Sequence, residues 1–486
     1  MKKLKGVLSV GGAITLAAAF TGCTEPGTEP IFSPNGGSSS SGEEIYRNTI
    51  EYDELTYNYD LLDLYYFYGH KKNELDDFDF YLNASTSSYY DTKSFCTTQF
   101  AKICNMYDYM SDPFTRYFDP SYAGRILNML SETEALVGLG ADVKEIKVGD
   151  SVKVVVNQVY ENGPAELYGL MEGDTVLTVN GYDITSAKVF EAETKGEKGD
   201  RISLEVVRND EIKTINVKIG EYNEPTVYLS FEDSIPVIRI TEFTTTTSSA
   251  NGSYGEFVSA LKKIKDTHKA AIIDLRNNPG GDVDQCNRMS AELLSKGDTI
   301  IIDVETDVDS SGSGYNKTYF QKFDTTAYTA SNDGIGKDLY YVFLANDRSA
   351  SCAEVMLSAV TVNKKSPLVG QTTYGKGIGQ YVIQTNYVAG GLALITGLES
   401  MDKDGDIYHK VGIVPDYAIT DEEEQMKKAL EIAKEAANGN EEKRTAGYGT
   451  ESTGNFAKAK AQARVEFPKT KKELLNQMSG AYKIKK

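Results

Sequence analysis

A chain of 486 residues with 40% hydrophobic and 25% charged side chains, 43 Gly, 12 Pro and 5 Cys has the make-up of a globular protein of about three domains. That composition excludes a single small module, a collagen-like chain and a disordered one. The net charge of -20, from 71 acidic against 51 basic residues, excludes nucleic acid as a partner, because phosphate binding needs a basic face that releases counterions. There is no Trp, and His70, His268 and His409 are the only histidines, so few imidazoles are available as bases.

At the N-terminus Lys2, Lys3 and Lys5 precede an apolar stretch over residues 6–22 that is short for a membrane span, which predicts a secretory signal peptide over 1–22. Phe20-Thr21-Gly22 before Cys23 resembles a bacterial lipobox, with Phe20 in place of the usual Leu. The resemblance implies a diacylated Cys23 and a lipid-anchored, exported protein of the cell envelope. Thr24 stands where an Asp would retain a lipoprotein at the inner membrane, which points to the outer membrane. Residues 23–43 are rich in Pro, Gly and Ser, including Ser38 to Ser41, and read as a flexible tether.

Export would place the other four cysteines in a compartment able to oxidise them. Cys96 and Cys104 are eight apart in a stretch that reads helical, which puts their backbones about 12 Å apart, too far for a bridge. With Cys286 and Cys352 they are expected as small buried thiols.

Residues 44–133 are acidic and Tyr-rich and read as a helical region, with Tyr65, Tyr66, Phe67 and Tyr68 expected as core rather than as a ligand platform. Asp112-Pro113-Phe114-Thr115-Arg116-Tyr117 reads as a closing turn. Over 134–222 the pattern changes to short strands at 153–160, 174–180, 201–208 and 212–219. Gly163-Pro164-Ala165, Gly169-Leu170, Gly173-Asp174 and Val179-Asn180-Gly181 together resemble a PDZ domain of the bacterial protease-associated kind. Such domains add an extended peptide as a strand and hold its terminal carboxylate on amides of a Gly-containing loop. Gly138, Leu139 and Gly140 are placed for that loop, and Ala141 begins a groove facing a helix near 186–193. Gly173 and Gly181 read as turn glycines.

Over 223–440 strands and helices alternate. The pattern predicts a strand at 236–241, a helix with Phe257, Val258, Leu261 and Ile264 on its apolar face, a doubly buried strand at 270–275, a helix at 283–294, and strands at 299–304 and 339–344. The polar, Ser- and Gly-rich interval 307–333 is too long for a turn and reads as an insertion or flap.

Three pieces of this α/β region carry chemistry. Asp274-Leu275-Arg276-Asn277-Asn278-Pro279-Gly280-Gly281 ends a buried strand in a turn able to offer bare amides to an oxyanion. Ser349-Ala350-Ser351-Cys352-Ala353-Glu354 opens a helix, where partial positive charge suits a nucleophile. Tyr374-Gly375-Lys376-Gly377-Ile378-Gly379-Gln380 sets a Lys between glycines, where backbone crowds it, strips its water and lowers its pKa. Singly, each has a plain structural explanation as a tight turn, a helix cap or a surface Lys.

Together they resemble the carboxyl-terminal processing peptidases, tail-specific serine proteases with a helical region, a PDZ domain and an α/β core of the ClpP/crotonase-like type. Lys376 lies 25 residues after Ser351 and Gln380 four residues further on, as in that family, and Gly412-Ile413-Val414-Pro415-Asp416 resembles its closing motif. The resemblance implies Ser351 as nucleophile, Lys376 as general base, Gln380 as the third catalytic residue, and an oxyanion hole from the amides of Cys352 and of Gly280 or Gly281. It implies protein or peptide substrates recruited through a C-terminal carboxylate, with no cofactor and no metal. Cys352 replaces the usual Ala, Ile378-Gly379 replace Thr-Val, and the tail over 441–486 has no counterpart. No histidine has an obvious acid partner, which leaves Cys352 a poor nucleophile. A non-catalytic PDZ scaffold and a lipid-binding relative of the same core are the alternatives.

Asp402-Lys403-Asp404-Gly405-Asp406 resembles the start of a calcium loop, but Ile413 stands where a bidentate Glu belongs, so a turn is expected. From 455 to 486 nine basic side chains face two acidic ones and read as a solvated run.

Overall fold

The computed structural model describes residues 7–8, 49–85, 96–131, 135–149, 151–311, 318–364, 366–385 and 390–439. Cys23, the tether and the basic tail lie outside the described residues, as does the signal segment apart from Val7–Leu8, which pairs antiparallel with Gln380 and Tyr381.

The apolar run near 270 forms the centre of the molecule: Ala270–Asp274 is a strand with all five residues buried. Pleating sends Ala271 and Ile273 to one face of the sheet and Ala270 and Ile272 to the other. Ile235–Ile240 and Tyr340–Ala345 flank it in parallel, Leu368–Gly370 and Tyr417–Ala418 continue the parallel order, and Val227–Glu232 closes the opposite edge antiparallel. Parallel pairing needs crossovers, whose helices cover one face, and the C-terminal helix covers the other, which is why the central strand is apolar throughout. Gly252–Ile264, Val283–Ala291 and Cys352–Lys364 pack on one face through Phe257, Leu261, Met289 and Met356. Glu422–Ala437 lays Ala429, Ala433 and Ala436 on Val237, Ile272, Val342 and Leu344 of the other.

A second, antiparallel sheet runs Ile378–Thr385, Gly391–Met401, Thr299–Ser311, Thr318–Thr329, with Arg116–Phe118 added beside Gly391–Met401. The interval expected as an insertion or flap is therefore mostly a regular ladder, paired from Ile301 with Tyr328 to Ser311 with Thr318. Its alternating Thr, Tyr and Phe are strand formers despite their polarity.

The N-terminal helices pack on this second sheet. Tyr66, Phe67 and Tyr68 are fully buried, as expected of core, but they share that core with Ile378, Leu392, Leu394 and Ile395, so the helical region has no separate interior. Thr49 caps the first helix, Ile50–Tyr65, by accepting from Tyr52 N–H.

The module between them is a five-stranded sheet ordered Ala141–Val148, Ser151–Val159, Thr175–Val179, Arg201–Arg208, Glu211–Lys218, with Tyr182–Asp183 attached to the third strand. Leu136–Gly138 pairs antiparallel with Gly220–Tyr222, so the chain enters and leaves side by side. The Gly173-Asp174 turn has a structural role: buried Asp174 takes a bidentate bond from Arg208 at 2.6 Å on each oxygen. The whole is the α/β core with N-terminal helices and an inserted mostly-β module that the sequence implies.

The cysteine expectation is corrected. Cys96 lies ahead of the helical turns at Thr98–Phe100 and Ala101–Asp108, so its distance to Cys104 is not set by helical rise; the two Cα atoms are 6.4 Å apart and the sulfurs are bonded. Cys286 and Cys352 form a second disulfide with Cα atoms 5.7 Å apart.

Candidate active site

Ser351 follows the strand Tyr340–Ala345 and directly precedes the helix Cys352–Lys364. The loop before it is tied to the end of the central strand: Ser349 Oγ donates to Leu275 O at 2.8 Å, Asn277 N–H to Asn346 Oδ1 at 3.0 Å, and Ala350 N–H to Asn278 O at 2.9 Å. Ser349 is thus a structural brace. Ser351 itself sits at φ +55°, a left-handed conformation that a non-glycine residue holds only when its surroundings enforce it.

Glu354 does much of that enforcing. Its carboxylate is fully buried three residues into the helix, and Oε2 accepts from Ser351 N–H at 3.0 Å, the return half of a capping box. The same oxygen accepts from Lys376 N–H at 2.7 Å, while Oε1 accepts from Gly375 N–H at 2.7 Å and from the Thr373 hydroxyl. Burial pushes its pKa up to about 7, and the four donors favour the ionised form.

The lysine loop is pinned further by Tyr374 N–H to Ser349 O and Lys410 N–H to Gly375 O, each 2.9 Å. Gly375 is at φ +86°, and a Cβ there would stand 2.8 Å from Gly412 N, so the closing motif packs directly against this turn. Lys376 is 5% exposed, and burial pulls its pKa down to about 7 against the opposing charges of Glu354 and Asp112. Its Nζ lies 4.7 Å from the centre of the Phe114 ring.

Gln380, on the strand Ile378–Thr385, is fully buried and donates through Nε2 to Thr396 Oγ1 at 3.2 Å; its Oε1 has no hydrogen-bond partner. Thr396 Oγ1 in turn donates to Asp112 Oδ1 at 2.9 Å. Asp112 is also bonded by Phe114 N–H, Thr115 N–H and the Thr115 hydroxyl. The sequence reading took 112–117 only as a turn and missed this residue, whose local signal is the Asp-Pro-x-Thr turn in which a carboxylate holds the amides after it.

Gly280 and Gly281 have φ +105° and +143°. A Cβ on Gly280 would stand 2.7 Å from Ser351 Cβ and 3.0 Å from Cys352 N, so only glycine admits the Ser351 loop this closely. Gly280 N–H donates to Asn278 Oδ1 at 2.8 Å, whereas Cys352 N–H is at the first helical position, where no intrahelical acceptor exists. Gly138, Leu139, Gly140 and Ala141 stay together at the neck of the β module: Leu139 O accepts from Ala165 N–H, Gly140 O from Tyr160 N–H, and Ala141 begins an edge strand beside the helix Ala187–Glu193. Among the histidines, His70 does have an acid partner, Asp63 at 2.9 Å, with both side chains over a third exposed. His409 is buried against Tyr68, its pKa pushed down to about 3 by desolvation and nearby lysines. Residues 402–406 form the expected turn, Asp402 accepting from Asp404 and Asp406 N–H.

Residues 234–419 match the family described as Peptidase family S41, and residues 137–219 match the PDZ domain. The chain carries an S41 peptidase domain and a PDZ domain. It is 29% identical over 338 residues to a probable CtpA-like serine protease of Staphylococcus aureus (strain bovine RF122 / ET3-1), covering 68% of this chain and 62% of the relative. A protein of the same description from Staphylococcus haemolyticus (strain JCSC1435) is 26% identical over 354 residues, 72% of this chain and 65% of its own. The chain thus spans less than two thirds of the length of these curated relatives. Among solved structures, the photosystem II D1 C-terminal processing protease aligns over 76% of this chain and 93% of its own at 19% identity and a TM-score of 0.44.

In the S41 domain, Glu354→Gln places an NH2 group where either two amides, or an amide and a hydroxyl, now donate. The change is expected to destabilise the fold by about 3 kcal/mol, as buried donors lose their acceptor. A urea unfolding midpoint equal to that of the unsubstituted protein refutes this role.

Proposed function

We propose that the chain is a serine endopeptidase of the C-terminal processing type. The observation that supports the reading is that one carboxylate oxygen holds the backbones of both Ser351 and a buried Lys376 whose pKa is drawn down to about 7. A lysine titrating near neutrality is an amine free to take a proton at working pH, where an ordinary lysine is not.

In this mechanism neutral Lys376 takes the proton of Ser351 Oγ as that oxygen attacks the scissile carbonyl. The Cys352 amide, with that of Gly280 or Gly281, stabilises the tetrahedral oxyanion; Gly280 exchanges its bond to Asn278 Oδ1 for the stronger anionic acceptor. The protonated lysine then delivers its proton to the leaving amine, and a water activated by Lys376 hydrolyses the acyl-enzyme, the Ser-Lys variant of triad chemistry. Gln380 steadies the lysine, its own orientation set by Thr396 and Asp112. The PDZ domain recruits the substrate, the loop Gly138-Leu139-Gly140 taking a terminal carboxylate and the strand from Ala141 pairing with the peptide. A lipid on Cys23 holds the exported chain at the cell envelope, on the outer membrane.

Ser351→Ala and Lys376→Ala are each expected to abolish cleavage of a casein-type substrate while the far-UV circular dichroism stays unchanged; turnover retained by either variant overturns the assignment, and no turnover by the parent returns the scaffold or lipid-binding readings. Because the protonated amine cannot accept the serine proton, kcat/KM of the parent should rise with pH through about 7 and level off above it.

Asp112→Asn removes a negative charge that favours protonated Lys376, so the acidic limb of that profile should move to lower pH. A limb that stays in place excludes Asp112 from the site's electrostatics. For the anchor, labelled fatty acid should be incorporated by the parent and not by Cys23→Ser; labelling of both rejects it.

A further inference from the structure

One of the two disulfides lies inside the proposed site, where the Ser-Lys mechanism makes no use of it. We propose that the Cys286–Cys352 disulfide is a positioning element of this active site, holding the serine turn against the glycine loop, so that hydrolysis depends on the oxidised pair. The inference rests on the serine peptidase reading and deepens it.

The bond joins the first turns of two helices. Cys352 is the first residue of Cys352–Lys364 and directly follows Ser351. Cys286 lies in the first turn of Val283–Ala291, whose cap Asp282 directly follows Gly280-Gly281. With Cα atoms 5.7 Å apart, the pair is at ordinary bridging distance. Each end of the bond therefore sits on a segment carrying a proposed oxyanion donor. Those segments already touch: a Cβ on Gly280 would come within 3.0 Å of Cys352 N, and Cys352 Sγ is 3.4 Å from Gly281 O and 3.3 Å from Asp282 O.

Ser351 between them holds a left-handed backbone that its neighbours must enforce. Asn278 O holds Ala350 N–H on the near side, Glu354 holds Ser351 N–H, and the disulfide fixes the far side at Cys352. Without the bond that far side keeps the bonds of Glu354 and Val355 N–H to Ser351 O and the packing of the helix, but no covalent tie to the glycine loop. The serine turn can then relax toward the right-handed region, which moves both the nucleophile and the Cys352 amide. Oxyanion stabilisation depends steeply on such displacements.

Opening the bond takes two electrons and two protons from a dithiol reductant, breaks the Sγ–Sγ bond, leaves two thiols and converts the reductant to its own disulfide. Cys352 and Cys286 are 1% and 0% exposed, so exchange is blocked in the folded chain and the state is set as it folds. A chain folded where thiols stay reduced would be slow, and one folded in an oxidising compartment fully active.

The test uses the full chain carrying Cys96→Ser and Cys104→Ser, so that a single disulfide changes. This parent is prepared oxidised, and also reduced with dithiothreitol in mild denaturant and refolded without oxygen, with thiols counted in each. Against an unstructured peptide, the reduced form and the oxidised Cys286→Ala form should both show kcat about ten- to a hundred-fold below the oxidised parent, with KM within about two-fold. Reoxidation in the same mild denaturant, followed by refolding, should restore the reduced parent and leave Cys286→Ala unchanged. Equal kcat for oxidised and reduced parent, or a Cys286→Ala variant as active as the oxidised parent, overturns the proposal. If Cys286→Ala loses its circular dichroism signal, the two redox forms of the one sequence decide. An oxidised parent without Ser351-dependent turnover brings down the peptidase reading and this inference together.

Discussion

The site depends on one buried carboxylate. Glu354 is part of the helix that starts at the serine, yet two of its four donors are the amides of Gly375 and Lys376 in a loop that leads into a different sheet. A carboxylate taken out of water costs several kcal/mol unless its oxygens are met by donors. The serine helix is therefore well accommodated only with the lysine loop in place, and the loop finds acceptors for its amides only against that helix. This mutual requirement sets the relative position of the serine and lysine turns.

The lysine illustrates how opposing terms leave a useful residue. Burial favours the neutral amine, the charges of Glu354 and Asp112 favour the protonated one, and the balance falls at about 7. The face of Phe114 at 4.7 Å excludes water from the amine while tolerating its charge. Asp112 and Phe114 belong to the N-terminal helical region, and Arg116–Phe118 pairs with the strand that carries Thr396. That region is thus a wall of the site as well as a cover for the second sheet.

Local pattern made the parallel sheet, the β module and the serine and lysine turns legible, because each rests on short-range physics: an apolar run for a doubly buried strand, Gly at positive φ, a capping box at a helix start. The sequence shows the strand from 299, but its extension and return over 307–329 were obscured by polar composition, since one face of a two-stranded ladder can be solvated and still pair. Spacing along a presumed helix hid the Cys96–Cys104 bond because the helix begins after Cys96. Asp112 and Thr396 meet across 284 positions, and nothing local to either announces the other.

By itself the sequence determined the order of the parts, the alternation of strand and helix, and the identity and spacing of the serine, lysine and glutamine, since these follow from periodicity, turn chemistry and motif. Only the tertiary structure decided that the N-terminal helices share a core with the second sheet, that Glu354 joins the serine and lysine turns, and that Cys286 and Cys352 are bonded beside Ser351. These are contacts between distant segments, and their energies come from burying a charge, a ring or a sulfur against a partner that exists only once the chain has folded.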